Sequence, residues 1–280
     1  MWIAAGLLAL LLLFCFFQNS RARIRQIEYR SRLLPKVLDG FLIAHVSDVH
    51  NRPAGGPERL VSALRAQRPG LIAITGDLID RDYPDIDAAA ALVRALAAIA
   101  PVCFVSGNHE YRSERYEELL PLLRKAGARV LDDGAAMMEI GGVRLTVAGL
   151  RDPACFNNLS GRTDDAVRHE REKTLKTLLP KDAAFCLLLS HRPEFFDIYA
   201  RCGVPLVLSG HAHGGQARFP IPLFSPGQGM FPRYTGGMYR RGDTAMVVSR
   251  GLGGRLTRLR VFNPPEVVMV RLSSKPPSFS

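Results

Sequence analysis

Cysteine is scarce in this chain of 280 residues: there are five, and no two stand in a C-x-x-C pair. That excludes a disulfide framework and zinc-finger spacing. Cys15 lies in an N-terminal apolar stretch, and Cys103 and Cys186 sit inside apolar runs, where a thiol packs as a small core residue. Internal repeats and long low-complexity tracts are also absent, which argues against a solenoid or a disordered tail. Acidic residues are outnumbered, 26 against 37 basic, for a net charge of +11. The excess points to an anionic partner (phosphate-bearing substrate, nucleic acid or anionic lipid) or to a solvated, arginine-rich surface. No basic run is interleaved with aromatics in a nucleic-acid-binding pattern, so nucleic acid is disfavoured. With 47% hydrophobic and 22% charged residues, the chain reads as one ample globular domain or two small ones.

The first 17 residues, "MWIAAGLLALLLLFCFF", are apolar throughout. That is the short end of the roughly 17–25 residues a membrane span needs. A cleaved signal peptide fits poorly, because no basic residue precedes the stretch and no small-x-small site follows it. The expectation is an uncleaved anchor over residues 1–18, followed by a basic juxtamembrane linker over 19–38. Arg21, Arg23, Arg25, Arg30, Arg32 and Lys36 in that linker would meet anionic headgroups. By the positive-inside rule they place the protein in the inner membrane, with its domain on the cytoplasmic face. The catalytic domain is expected over 39–273, with a short tail over 274–280.

Beyond the linker, apolar runs alternate with helical stretches. "PERLVSALRAQRP" (57–69), "DIDAAAALVRALAAIA" (85–100), "SERYEELLPLLRKAG" (113–127) and "DDAVRHEREKTLKTLL" (164–179) read as helices, the third with Pro121 inside it. "AAMMEIGGVRLTVAGL" (135–150) reads as a hairpin turning at Gly141-Gly142. Parallel units with a few hairpins predict an α/β sandwich and not an eight-fold barrel.

The apolar runs end in an unusual way. "FLIAHVSDVH" closes on Asp48 and His50, and "LIAITGDLID" reaches Asp77. "VCFVSGNHE" gives Asn108 and His109, "FCLLLSH" His191, and "PLVLSGHAH" His211 and His213. Five of the seven histidines thus lie at strand ends. In open α/β sheets ligands bind outside the carboxyl ends of strands. Asp, Asn and His together, without thiolate, suit divalent Mn, Fe, Co, Ni or Zn and exclude a structural zinc site. Seven such donors exceed what one ion with room for substrate needs. They suit two ions about 3.5–4 Å apart that share a carboxylate.

The blocks "DVH", "GD", "GNHE", "SH" and "GHAH", in this order, resemble the signature of the calcineurin-like metallophosphoesterases, over residues 41 to 272. The tail "GHAHGGQARFP … YRRGDTAMVVSRGLGG … PPEVVMVRL" is similar to the membrane-associated YkuE/YaeI-like branch. The resemblance implies a four-layer sandwich of two mixed β-sheets flanked by helices, and hydrolysis of a phosphodiester or pyrophosphate by metal-activated water. It implies two divalent cofactor ions (Mn, Fe or Zn), with Asp48, His50 and His213 on one, Asn108, His191 and His211 on the other, and Asp77 between them. His109 would protonate the leaving oxygen or steady the phosphoryl group. Glu110 stands where the family often has Asp, and is expected behind the ligands.

Other residues carry weaker expectations. His45 points away from Asp48 along its strand and reads as a core histidine; His169 reads as solvated. Asp80 and Asp82 read as loop caps. Asp152 is a candidate to orient a ligand histidine. Arg151, Arg192, Arg233, Arg240, Arg241 and Arg250 are candidates for substrate phosphate. "FPIPLFSPGQGMFP" (219–232) reads as an apolar lip beside the metals or as a packed surface loop. Anchor, basic flank and lip together suggest an amphipathic envelope substrate such as a UDP-diacylglucosamine-like lipid precursor. The competing readings are a nuclease or cyclic-nucleotide phosphodiesterase, and a non-catalytic membrane-tethered binding module.

Overall fold

Neighbouring residues along each central strand pack in different layers, and this alternation sorts the chain into four. A computed structural model describes residues 2–156, 164–180, 184–216, 218–219, 221–253 and 260–276. Its main strands are β1 (Arg23–Arg30), β2 (Leu42–Val46), β3 (Leu71–Thr75), β4 (Val102–Val105), β5 (Ala128–Val130) and β6 (Gly134–Ile140), then β7 (Val143–Leu150), β8 (Phe185–Ser190), β9 (Leu206–Ser209), β10 (Gly237–Arg241), β11 (Thr244–Val248) and β12 (Glu266–Ser273). The helices are α1 (Trp2–Asn19), α2 (Pro57–Gln67), α3 (Ile86–Ala97), α4 (Asn108–Arg112), α5 (Tyr116–Lys125), α6 (Asp164–Leu178) and α7 (Phe196–Arg201). One sheet runs β1-β12-β2-β3-β4-β5, the other β10-β11-β9-β8-β7-β6.

Both sheets are mixed. β2, β3 and β4 are mutually parallel, while β12 runs antiparallel to β2. In the second sheet β7, β8, β9 and β11 are parallel, and the hairpins β6–β7 and β10–β11 close its edges. Ala44, Val46, Ile72, Ile74 and Phe104 face α2, α3 and α5. Their neighbours Ile43, Leu71, Ala73 and Val105 meet Leu145, Leu187, Leu189 and Leu208 of the second sheet. Ala148, Leu188 and Val207 on the far side of that sheet pack on α6 and α7. Each fully buried Leu or Ile in these layers contributes about 1.5–3 kcal/mol relative to exposure. This is the expected arrangement of mixed sheets flanked by helices.

Most local expectations hold. The hairpin turns at Gly141-Gly142, both at positive φ, as a two-residue turn of that twist requires. His45 is fully buried between the sheets, with Nε2 2.8 Å from Thr75 Oγ1, and burial pushes its pKa down to about 3. His169 is exposed on α6. The stretch 113–127 differs: "NHEYR" itself forms the short helix α4, Ser113 ends it, and α5 begins at Tyr116. The Ser113 hydroxyl donates back to Glu110 O at 2.7 Å, which closes α4 instead of capping α5.

Two N-terminal expectations are corrected. Among the described residues no helix is long and apolar enough to cross a membrane. The apolar part of α1 ends at Phe17, short of the about 20 residues a span uses. Its last turn is committed to the domain: Asn19 Nδ2 donates to Arg260 O at 2.8 Å, and Gln18 Oε1 accepts from Asn263 N at 3.2 Å. The single-pass inner-membrane placement, with its cytoplasmic orientation, therefore has no span to rest on. The stretch expected as a linker instead contains β1, paired in parallel with β12 from Arg23 opposite Glu266 to Arg30 opposite Ser273. Ile27 and Tyr29 turn inward onto the inter-sheet core, while Arg23 is exposed and Arg25 and Arg30 are half-buried.

Candidate metal centre

The parallel strands of both sheets end at one rim. β2, β3 and β4 deliver Asp48, Asp77 and Asn108; β8 and β9 deliver His191 and His211. At that rim Asp48, His50, Asp77, His211 and His213 all hold positive φ, between 46° and 63°. Non-glycine residues enter this region at a cost, and clusters of them mark functional loops. The chain pays in glycines as well: a Cβ on Gly210 would strike Ser47 and Asp48, and one on Gly107 would strike Asp77.

Among the described residues three donor groups form, each with its ligand atoms within 4.8 Å of one another: Asp48, His50, Asp77 and His213 in the first, Asp77, His191 and His211 in the second, and His50, Asp80 and His109 in the third. Asp77 belongs to the first two. In the first, His213 Nε2 lies 3.5 Å from Asp48 Oδ1 and 3.4 Å from His50 Nε2. In the second, His191 Nε2 is 3.3 Å from Asp77 Oδ2 and 3.1 Å from His211 Nδ1. Asn108 is buried at the same rim, and its Oδ1 has no hydrogen-bond partner. An orphaned buried carbonyl beside an all-O/N donor set is what a cation ligand looks like without its cation.

The electrostatics are those of carboxylates forced together. Burial, with Asp77 nearby, pushes the Asp48 carboxyl up to about 6. Burial also works to raise Asp77, but the charges on His191 and His109 outweigh it and hold Asp77 well below the usual range. For His191, burial favours the neutral ring; the pull of Asp77 prevails and lifts it to about 10.

The supporting contacts are equally defined. His191 Nδ1 lies 2.7 Å from Thr75 O, which accepts its N–H and turns Nε2 toward the cluster. Glu110 accepts backbone N–H bonds from Gly107 at 2.7 Å, Asp77 at 2.9 Å, Leu78 at 2.7 Å and Ile79 at 3.2 Å. It ties the "GNHE" loop to the "GD" loop, behind the ligands as expected. His109 donates its backbone N–H to Asp77 Oδ1 at 2.8 Å, and its ring Nε2 stands 3.9 Å from Asp77 Oδ2. Its Nδ1 accepts the backbone N–H of Arg81 at 3.0 Å. Burial, first among the causes, holds the ring pKa below its ordinary value.

Other residues are redistributed. Asp152 does not orient a histidine; it grips Arg192. Asp80 caps its loop as expected, accepting from Asp82 N at 2.9 Å, but its second oxygen also faces His50 Nδ1 at 3.8 Å and His109 Nδ1 at 3.9 Å. Of the candidate phosphate arginines, only Arg192 reaches the donor groups. Arg151 faces Asp133, Arg250 faces Glu266, Arg233 covers Tyr234 and Arg240 covers Tyr29, while Arg241 is exposed. Buried Arg260, unmarked by any motif, lies 3.5 Å from His213 Nδ1 and bonds Arg250 O and Gly251 O. Within 219–232, Gly227 backs onto Glu194 and His211, and Ile221, Phe224, Met230 and Phe231 are exposed.

Comparison with known proteins agrees with this geometry. A family model described as "Calcineurin-like phosphoesterase" matches residues 41–215. The chain is 32% identical to the uncharacterized metallophosphoesterase YkuE of Bacillus subtilis, over 88% of this chain and 83% of that protein. It is 29% identical to an uncharacterized metallophosphoesterase of Aquifex aeolicus, over 90% and 92% of the two chains. A Danio rerio protein described as "Transmembrane protein with metallophosphoesterase domain" is 26% identical; the match covers 89% of this chain and 57% of that one. Among solved structures, TT1561 of Thermus thermophilus shares the fold with a TM-score of 0.50 at 16% identity, over 75% of this chain and 89% of that one.

Proposed function

The chain belongs to the calcineurin-like phosphoesterase family, and from that membership we propose that it hydrolyses phosphodiester or pyrophosphate bonds with two divalent ions. The single observation behind this reading is Asp77, the carboxylate common to two buried donor groups. Asp48, His50 and His213 would hold one ion, Asn108, His191 and His211 the other, and Asp77 would touch both. When bound, the ions supply Lewis acidity at a phosphoryl oxygen and a water of lowered pKa.

The remaining chemistry belongs to the chain. His109 Nδ1 accepts from Arg81 N, which leaves the ring proton on Nε2, the atom nearer Asp77. His109 then donates an Nε2–H hydrogen bond to a phosphoryl oxygen and holds it as charge develops. The substrate class we favour is amphipathic, a nucleotide-lipid pyrophosphate being one with both parts. Exposed Phe224, Met230 and Phe231 in the loop whose Gly227 abuts His211 support it.

The test is hydrolysis by manganese-loaded protein of p-nitrophenyl phosphate, bis(p-nitrophenyl) phosphate and a nucleotide-lipid pyrophosphate. Cleavage of the diester or pyrophosphate that a chelator stops is the expected result. No cleavage of any of them by protein carrying two ions would sink the proposal.

A further inference from the structure

Arg192 follows His191 at the end of β8, and its guanidinium is held by a carboxylate from a different strand end. Asp152, fully buried just past β7, accepts from Arg192 Nε at 2.7 Å and from Nη2 at 3.1 Å. This two-point grip fixes the guanidinium plane, and the remaining nitrogen becomes its leading atom. Nη1 lies 2.9 Å from His211 Nε2 and 3.5 Å from Glu194 Oε1.

Guanidinium nitrogens carry only hydrogens to share, so Nη1 is the donor at both contacts. The Glu194 contact is the longer of the two; Glu194 Oε2 is buried without a partner, and both its Oε1 and His211 Nε2 lie against Gly227. Anchored through Asp152, Nη1 thus stands beside His211 at the edge of the donor groups.

We propose that Arg192 binds a non-bridging oxygen of the phosphoryl group through Nη1, with Asp152 as its positioning residue. This rests on the phosphohydrolase reading above. The ligand class is a tetrahedral phosphate oxyanion, the substrate's phosphoryl group or the inorganic phosphate product. A planar donor held at two points and aimed by its third nitrogen keeps its geometry as charge builds on oxygen.

The experiment is calorimetric titration of manganese-loaded protein with inorganic phosphate, ion content being measured on the same samples. Arg192→Ala is expected to retain two ions and to bind phosphate at least tenfold more weakly. Arg192→Lys is expected to recover part of the loss, and Asp152→Asn to weaken binding less than Arg192→Ala. For diester hydrolysis the expected fall in kcat/KM for Arg192→Ala is about 10²–10³-fold. Unchanged phosphate affinity in Arg192→Ala, or a loss that tracks loss of ions in Arg192→Lys as well, overturns the assignment. Arginine-dependent phosphate binding by a wild-type protein that cleaves no phosphoester would overturn the hydrolase reading and keep Arg192 in its place.

Discussion

The backbone N–H of Arg81 donates to Nδ1 of His109 at 3.0 Å, and this one bond limits what the histidine can do. An imidazolium would set a second N–H against that donor, and burial already opposes the charged ring. We therefore expect His109 to act as an Nε2–H donor and not as the acid that protonates a leaving group.

The consequence is measurable in leaving-group dependence. His109→Ala should keep both ions and lose about 10²–10³-fold in rate. The loss should be similar for p-nitrophenolate and for an alkoxide leaving group. A loss that disappears with p-nitrophenolate would show that His109 supplies a proton after all.

Ion content should separate the shared ligand from the others. Asp77→Ala should lower occupancy of both sites, because its carboxylate is common to two donor groups. Asn108→Ala, which removes a lone buried oxygen, should lower one. Elemental analysis gives the stoichiometry, and equal losses from the two variants would refute a shared Asp77.

The His191 pair gives a pH signature. Its pKa is raised to about 10 in the folded, metal-free protein, against an ordinary value near 6.5. A basic group raised on folding contributes stability that is complete below its unfolded pKa and is lost as pH climbs toward the folded one. Metal-free protein should thus lose thermal stability between pH 6.5 and 10. Metal-loaded protein should lose less, since the cation replaces the proton, and loading should release protons. Melting curves with and without chelator check this; parallel pH slopes would rule it out.

Gly210→Ala is a steric test of the rim. The new Cβ would meet Ser47 and Asp48, and Asp48 also accepts the His211 N–H at 3.1 Å. The variant should lose ion content and at least about 1 kcal/mol of stability, the usual cost of overpacking. Native ion content and melting temperature would show that the loop shifts freely.

Much of this molecule is legible in its sequence. Apolar runs that end in Asp, Asn and His identify strands by local periodicity, and parallel strands bring such ends to one edge; Asp48, Asp77, Asn108, His191 and His211 needed nothing more. The Gly141-Gly142 hairpin was equally local. What surrounds the donors was not. Thr75 O, and not Asp152, orients His191, although the pair is 116 residues apart in the chain. Asp152 grips Arg192 across 40 residues, and Arg260 reaches His213 across 47. Which carboxylate meets which cation depends on how loops from two packed sheets approach one another, and residue spacing carries no trace of that. The N-terminal helix shows the same limit. Its composition dictates an apolar helix that ends at Phe17, but only the folded chain shows Gln18 and Asn19 bonding the domain at Asn263 and Arg260.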